Sequence, residues 1–177
     1  MPEAKPDVKP VKLICGVLYR KTVDLNRLDE ELISLLGPID LKSEPFPFDF
    51  TDYYENEMGE NLSKQFYAFE KLILPDSLAD IKNATICMEK DFSLENRRTV
   101  NIDPGYIEES KLVLASTKNF SHRIYLKDGI WAEVTLRYER GDFIAHPWTY
   151  SDYAQPLAIE FLKTARENYK SQLRDLS

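Results

Sequence analysis

The apolar positions alternate between two periods. Lys12 to Tyr19 is an almost unbroken apolar run (Leu13, Ile14, Cys15, Val17, Leu18). Its length and β-branched content predict a strand buried on both faces. From Asp24, a natural N-cap, the period changes to that of a helix. Leu25, Leu28, Leu32 and Leu35 or Leu36 mark one face, and Gly37-Pro38 ends it. Phe46, Phe48 and Phe50 then recur at every second position, with Pro45 and Pro47 on the opposite parity. Both prolines remove donors from the same strand edge, which predicts an edge strand with an aromatic inner face. A polar stretch from Glu55 to Ser63 follows, read as a loop or a single helical turn. Lys64 to Ile73 reads as a long strand. Pro75-Asp76-Ser77 opens a second helix, N-capped by Asp76 or Ser77. Its buried face is expected at Leu78, Ile81, Ala84 or Thr85, Met88 and Phe92. Arg97 to Ile102 alternates as a short strand.

The order strand, helix, strand, strand, helix, strand is the split βαβ pattern of an α+β, ferredoxin-like βαββαβ core. Its second strand lies at a sheet edge, where the two prolines require one. After it, Asp103-Pro104-Gly105 reads as a turn, and Ile107 to Ser116 as a short helix or a strand. His122 to Leu126 and Ile130 to Tyr138 flank the hairpin signal Lys127-Asp128-Gly129. Arg140-Gly141-Asp142 spells an adhesion tripeptide but reads as a turn into Phe143 to His146. These pieces form an added antiparallel β-meander, which extends the main sheet or packs beside it. Leu157 or Ala158, Phe161 or Leu162, Ala165, Tyr169 and Leu173 stripe a C-terminal helix that docks on the body. Residues 1–10 read as a flexible, proline-bearing tail, and 11–177 as a single α+β domain.

Several of these strings carry a resemblance. They are Glu44-Pro45-Phe46-Pro47-Phe48-Asp49-Phe50-Thr51-Asp52-Tyr53-Tyr54, Asn101-Ile102-Asp103-Pro104-Gly105-Tyr106 and Lys111-Leu112-Val113-Leu114-Ala115-Ser116-Thr117-Lys118. His122-Arg123-Ile124-Tyr125-Leu126, Ala132-Glu133-Val134-Thr135-Leu136 and Pro147-Trp148-Thr149-Tyr150 complete the set. In combination they resemble an uncharacterised bacterial family, domain of unknown function 4416, from about Val11 onward. The resemblance implies no catalytic residues. Some members bear a GTP-binding label. Here none of the six glycines is followed by lysine and a hydroxyl residue, and no Gly-x-Gly-x-x-Gly occurs, which excludes a standard P-loop or Rossmann site.

Composition narrows the partners. A net charge of −7 argues against a broad nucleic-acid or anionic-membrane footprint. No apolar run reaches the roughly 20 residues that span a bilayer. Cys15 and Cys87 sit in apolar runs and are expected as free buried thiols, consistent with a reducing cytoplasm.

The densest polar region is 97–133. Lys118, His122 and Arg123 can hold an anion, with Ser116 and Thr117 adding hydroxyls. Arg98, Asn101 and Lys111 extend the candidate ligand-binding set, and Asp103 and His122 are the candidate catalytic groups. The plainer reading pairs these residues with local acids on a hydrated surface. His122 and His146, the only histidines, lack metal-site spacing, and no metal is assigned; the cofactor is left open. Asp49 and Asp52 in the acidic, tyrosine-rich loop would be the ligands of a cation if that loop held one. Two functions follow: binding of an anionic or phosphorylated small molecule, or a non-catalytic interaction module that self-associates or docks a partner through the donor-poor edge, the tyrosine loop and the Trp148 segment. Whether the protein is an enzyme stays open.

Overall fold

The computed structural model describes residues 7–177. Residues 1–6 of the expected tail lie outside the described residues. Asp7–Pro10 have no regular structure, and the Tyr169 hydroxyl donates to the Pro10 carbonyl at 2.8 Å. The protein is a mixed α/β structure with a nine-stranded antiparallel sheet and five α-helices among the described residues.

Strand β1 (Val11–Tyr19) is central, and all of its residues are buried. Its odd-numbered side chains (Leu13, Cys15, Val17, Tyr19) pack under α1 (Leu25–Leu36), with Leu28, Leu32 and Leu36. Ile14 on the other parity belongs to a second core. A strand covered on both faces has no polar parity, hence the continuous apolar run. Asp24 caps α1, its carboxylate accepting from Asn26 N and Arg27 N at 3.0 and 3.3 Å.

β2 (Ile39–Lys42) and β3 (Phe46–Pro47) both pair with β4 (Ser63–Ile73), so this segment lies at a sheet edge. The phenylalanine strand is shorter than its alternation predicts. Phe46 is buried, and after a last backbone bond from Phe48 N to the Leu62 carbonyl at 2.8 Å the chain, with Phe50, turns into a loop ending in the single-turn helix α2 (Glu55–Met58). Met58 anchors that loop on Leu18 and Leu62, with Phe48 and Tyr54 packed against them.

α3 (Leu78–Asp91) is preceded by a short 3₁₀ turn, and neither Asp76 nor Ser77 caps it. The Ser77 hydroxyl turns back to the Leu74 carbonyl at 2.6 Å. Its buried stripe is Leu78, Lys82, Thr85, Met88 and Glu89, so two charges occupy core positions. Cys15 is buried, but Cys87 is exposed on the outer side of α3, contrary to expectation.

β5 (Val100–Glu108) runs straight through Asp103-Pro104-Gly105, where a turn was expected. It pairs with β1 throughout (Cys15 opposite Pro104) but with β6 (Lys111–Ser116) only from Gly105–Leu114 to Glu108–Lys111. β6 settles the helix-or-strand ambiguity as strand. β7 (Ile124–Lys127), β8 (Ile130–Glu139) and β9 (Asp142–Ala145) extend the same sheet in the order β2-β4-β1-β5-β6-β8-β7, with β9 on β8. Asp128 and Gly129 take φ of 50° and 79°, the positive-φ pair of a tight hairpin.

α4 (Ser151–Ala154) and α5 (Pro156–Leu176) cover the face opposite α1 and α3. Ala158, Phe161, Leu162 and Ala165 bury against Ile14, Phe66 and Leu112; Phe66 and Phe161 stack at 5.6 Å. Full burial of each large side chain contributes about 1.5–3 kcal/mol. No described helix is long and apolar enough to cross a membrane.

Candidate polar crevice where two strands part

Beyond the Gly105–Leu114 pair, β5 keeps β1 as its partner and β6 keeps β8, so the two strands separate. Gly105 permits their close approach just before the split, because a Cβ there would collide with the Val113 carbonyl. Side chains of one parity face α4 and α5: Asn101 and Asp103 on β5, Ser116 on β6, Glu133 on β8 and Lys64 on β4. The loop carrying Tyr53 and Tyr54 and the start of α4 with Tyr150, Asp152 and Tyr153 close over them.

The first wall is a chain of charges. Arg98 holds Glu57 through two bonds (2.8 and 2.7 Å) and donates to Asn101 Oδ1 at 2.7 Å, with Glu89 at 3.4 Å. Asn101 Nδ2 donates to Asp103 Oδ2 at 2.9 Å, and Lys82 Nζ donates to Oδ1 at 3.2 Å. Lys82 also donates to the Ile102 carbonyl at 3.0 Å, and Glu89 accepts from Ile102 N at 2.7 Å. Two side chains of α3 thus take the place of a neighbouring strand along the bare edge of β5. Buried backbone groups require such partners.

Burial pushes the Asp103 carboxyl up, but Lys82, Lys64 and the Asn101 bond together bring it below its ordinary value. It is held ionised, with its side chain 26% exposed. Burial raises Glu89, against the opposing pull of Ile102 N–H, Lys82 and Arg98. Burial likewise raises the Tyr54 and Tyr153 phenols, reinforced by nearby Asp103.

The second wall is built around Arg123. Its Nε meets Glu133 Oε1 at 3.2 Å, Nη1 meets Ser116 Oγ at 3.1 Å and Lys118 O at 2.9 Å, and Nη2 meets the Tyr150 hydroxyl at 2.9 Å. All three guanidinium nitrogens are occupied by protein acceptors, so Arg123 braces the 116–123 turn. Lys118 projects from that turn over the Tyr53 ring at 4.4 Å and bonds its hydroxyl; it pairs with no carboxylate among the described residues. Thr117 is exposed beside it.

Between the walls, Lys64 and Asp152 form a buried pair, with Lys64 Nζ 4.7 Å from the Tyr153 ring centroid. The Tyr153 hydroxyl is buried without a partner among the described residues.

The structure therefore brings Arg98, Asn101 and Asp103 together on one wall, and Ser116, Lys118 and Arg123 on the other. Lys111 is at the far end of β6, paired with Glu108 at 2.5 Å, and stands apart. His122 is half-buried, stacked between Phe120 and Trp148, with Nε2 3.9 Å from Glu133 Oε1. Trp148 lies between the two histidine rings, 5.0 Å from His122 and 4.6 Å from His146, which keeps them from sharing an ion. No group of three or more His, Cys, Asp or Glu side chains is arranged for a metal among the described residues, Asp49 and Asp52 included. Sequence reasoning missed Lys64, Lys82 and Glu89. For Lys82 and Glu89 a signal existed: they fall four and eleven residues after Leu78, on the apolar stripe of α3.

Fold and site define a mixed α/β protein with a charged, tyrosine-rimmed crevice between two separating strands. The chain belongs to the family described as domain of unknown function (DUF4416), which it matches over residues 9–169. No curated protein and no solved structure matches it.

Proposed function

We propose that the crevice binds a small anionic or phosphorylated molecule, held at its mouth by Lys118 with the hydroxyls of Tyr53 and Tyr150. The observation that carries this reading is the state of Lys118. The other cations of the crevice are matched by carboxylates, whereas Lys118 has none among the described residues and is held over Tyr53 at the tip of a braced turn. A fixed ammonium flanked by hydroxyl donors suits a phosphate or carboxylate. Arg123 positions this turn, and Arg98 lies across the crevice. Of the two groups considered for proton transfer, Asp103 is the better placed, being ionised and reachable by solvent; His122 is held in an aromatic stack.

The test is calorimetric titration of the whole protein with inorganic phosphate. Lys118→Ala should weaken binding at least about tenfold, the weight of one charge-assisted bond, with an unchanged melting temperature. Absence of phosphate binding to the wild type, or equal binding by the variant, would sink the reading.

The scaffold we read as a ferredoxin-like core with an added meander, in one domain over 11–177. Support comes from the order β2-β4-β1-β5, the antiparallel pairing of those strands and the placement of α1 and α3 on one face.

One observation favours a second reading, self-association. β7 ends the strand order and exposes Ile124 (75%) and Tyr125 (53%), with Phe120 (57%) beside it. A bare apolar edge is a pairing surface. Sedimentation equilibrium should then show a dimer that Ile124→Lys dissociates; a wild-type monomer at high concentration would rule this out.

A further inference from the structure

An acceptor and a buried, unpartnered hydroxyl share one face of the β1–β5 ladder. Gly16 of β1 is the register partner of Asp103 on β5, so their Cα atoms face each other directly across the ladder. A Cβ built on Gly16 would lie 2.5 Å from the Tyr153 hydroxyl and 3.1 Å from Lys64 Cε. The space above Gly16 is therefore filled by the Tyr153 hydroxyl, on the same sheet face as the Asp103 carboxylate. Tyr153 is 2% exposed, and its hydroxyl has no hydrogen-bond partner among the described residues. A buried hydroxyl left unpaired is costly, and in a native protein it calls for an occupant. Asp103 accepts one bond on each oxygen, from Lys82 and Asn101. An ionised carboxylate offers about four acceptor positions, so capacity remains.

Resting on the reading of the crevice as an anion site, we infer that Asp103 and Tyr153 form a hydroxyl-reading subsite and that the ligand is a phosphorylated alcohol or polyol. An alcohol is the group that satisfies both partners at once. Its O–H donates to the Asp103 carboxylate, while its oxygen accepts from the Tyr153 phenol. An amine would leave the phenol without an acceptor, and a second acid would face Asp103 with like charge. The phosphate stays at the mouth with Lys118, and the hydroxyl reaches inward. Gly16 is then the residue that makes room for the phenol, and Lys64 and Lys82 keep Asp103 ionised in its acceptor form.

The experiment compares two probes on the unmodified full chain: glycerol 3-phosphate and propyl phosphate, which share the phosphate and differ in the hydroxyls. Glycerol 3-phosphate should bind at least about tenfold tighter, the weight of one hydrogen bond to a charged group. Tyr153→Phe removes only the unpartnered hydroxyl, so it should melt no lower than wild type while the preference shrinks severalfold. Asp103→Asn should shrink it too, with inorganic phosphate still bound. Equal affinity of the wild type for both probes would overturn the inference while leaving the anion site standing. So would a preference unchanged in Tyr153→Phe. If none of the three phosphates binds, the anion reading fails and this inference falls with it.

Discussion

Lys82 offers the sharpest test of how the crevice is built. Its ammonium, on a side chain 6% exposed, holds two groups: the Ile102 carbonyl at 3.0 Å and Asp103 Oδ1 at 3.2 Å. Lys82→Met keeps the apolar stem and removes both bonds. Breaking one side of a buried ion pair costs about 3–5 kcal/mol, and a stranded carbonyl about 1–3 kcal/mol. Asp103 keeps Asn101 and some access to water, which places the expected loss near 3 kcal/mol, about 6–12 °C in melting temperature for a chain of this size. Urea unfolding should recover about 1–2 kcal/mol of it in Lys82→Met/Asp103→Asn, because the stranded charge is gone. The pH dependence has a definite sign. In the wild type Asp103 is depressed below its ordinary value of 3.8, so its contribution is complete above that value and is lost as pH falls through the depressed one. Without Lys82, burial has less opposition and the carboxyl rises. The stability gap between wild type and Lys82→Met should therefore narrow as pH falls from 7 toward 4. A gap that stays constant, or a double variant no more stable than Lys82→Met alone, would refute the account of the pair.

Two further outcomes follow from the same geometry. Gly16→Ala forces a methyl against the Tyr153 hydroxyl and should cost about 1–3 kcal/mol of stability in a thermal melt, with partial relief in Gly16→Ala/Tyr153→Phe; a neutral Gly16→Ala would show the space to be free. Arg123→Ala strands the buried Glu133 carboxylate and should destabilise by about 3–5 kcal/mol, so wild-type stability of this variant in urea would contradict its bracing role.

The apolar patterns of β1, α1, β4 and α5 were legible because each buries a face that its period defines. Asp103-Pro104-Gly105 was not, because proline and glycine signal a turn only when the chain must reverse. Ile102 directs its N–H and carbonyl away from β1, toward Lys82 and Glu89, and Pro104 shares that parity. Its missing donor falls where no strand pairs, and so costs β5 nothing. Asp103 and Lys118 were legible as polar residues near turns. That they face one crevice depends on where β5 and β6 part, which is set by ladders between distant segments. Lys64 escaped notice because a lysine at a strand end usually faces water; here Asp152, 88 residues on, covers it.

The central position of β1 has a consequence for synthesis on the ribosome. Its two neighbours are β4 and β5, and the second is complete only at Glu108. At about 5–20 residues per second, the roughly 90 intervening residues take several seconds to emerge. The run Val11–Tyr19 can complete its ladder with β4 once Ile73 has emerged, but its ladder with β5 waits for the whole interval. α1 can shield one of its faces early, but the other waits for α5, more than 130 residues beyond β1. The nascent chain thus carries an apolar strand that stays open on one edge until β5 emerges, and its yield in the cell depends on what covers that edge in the meantime.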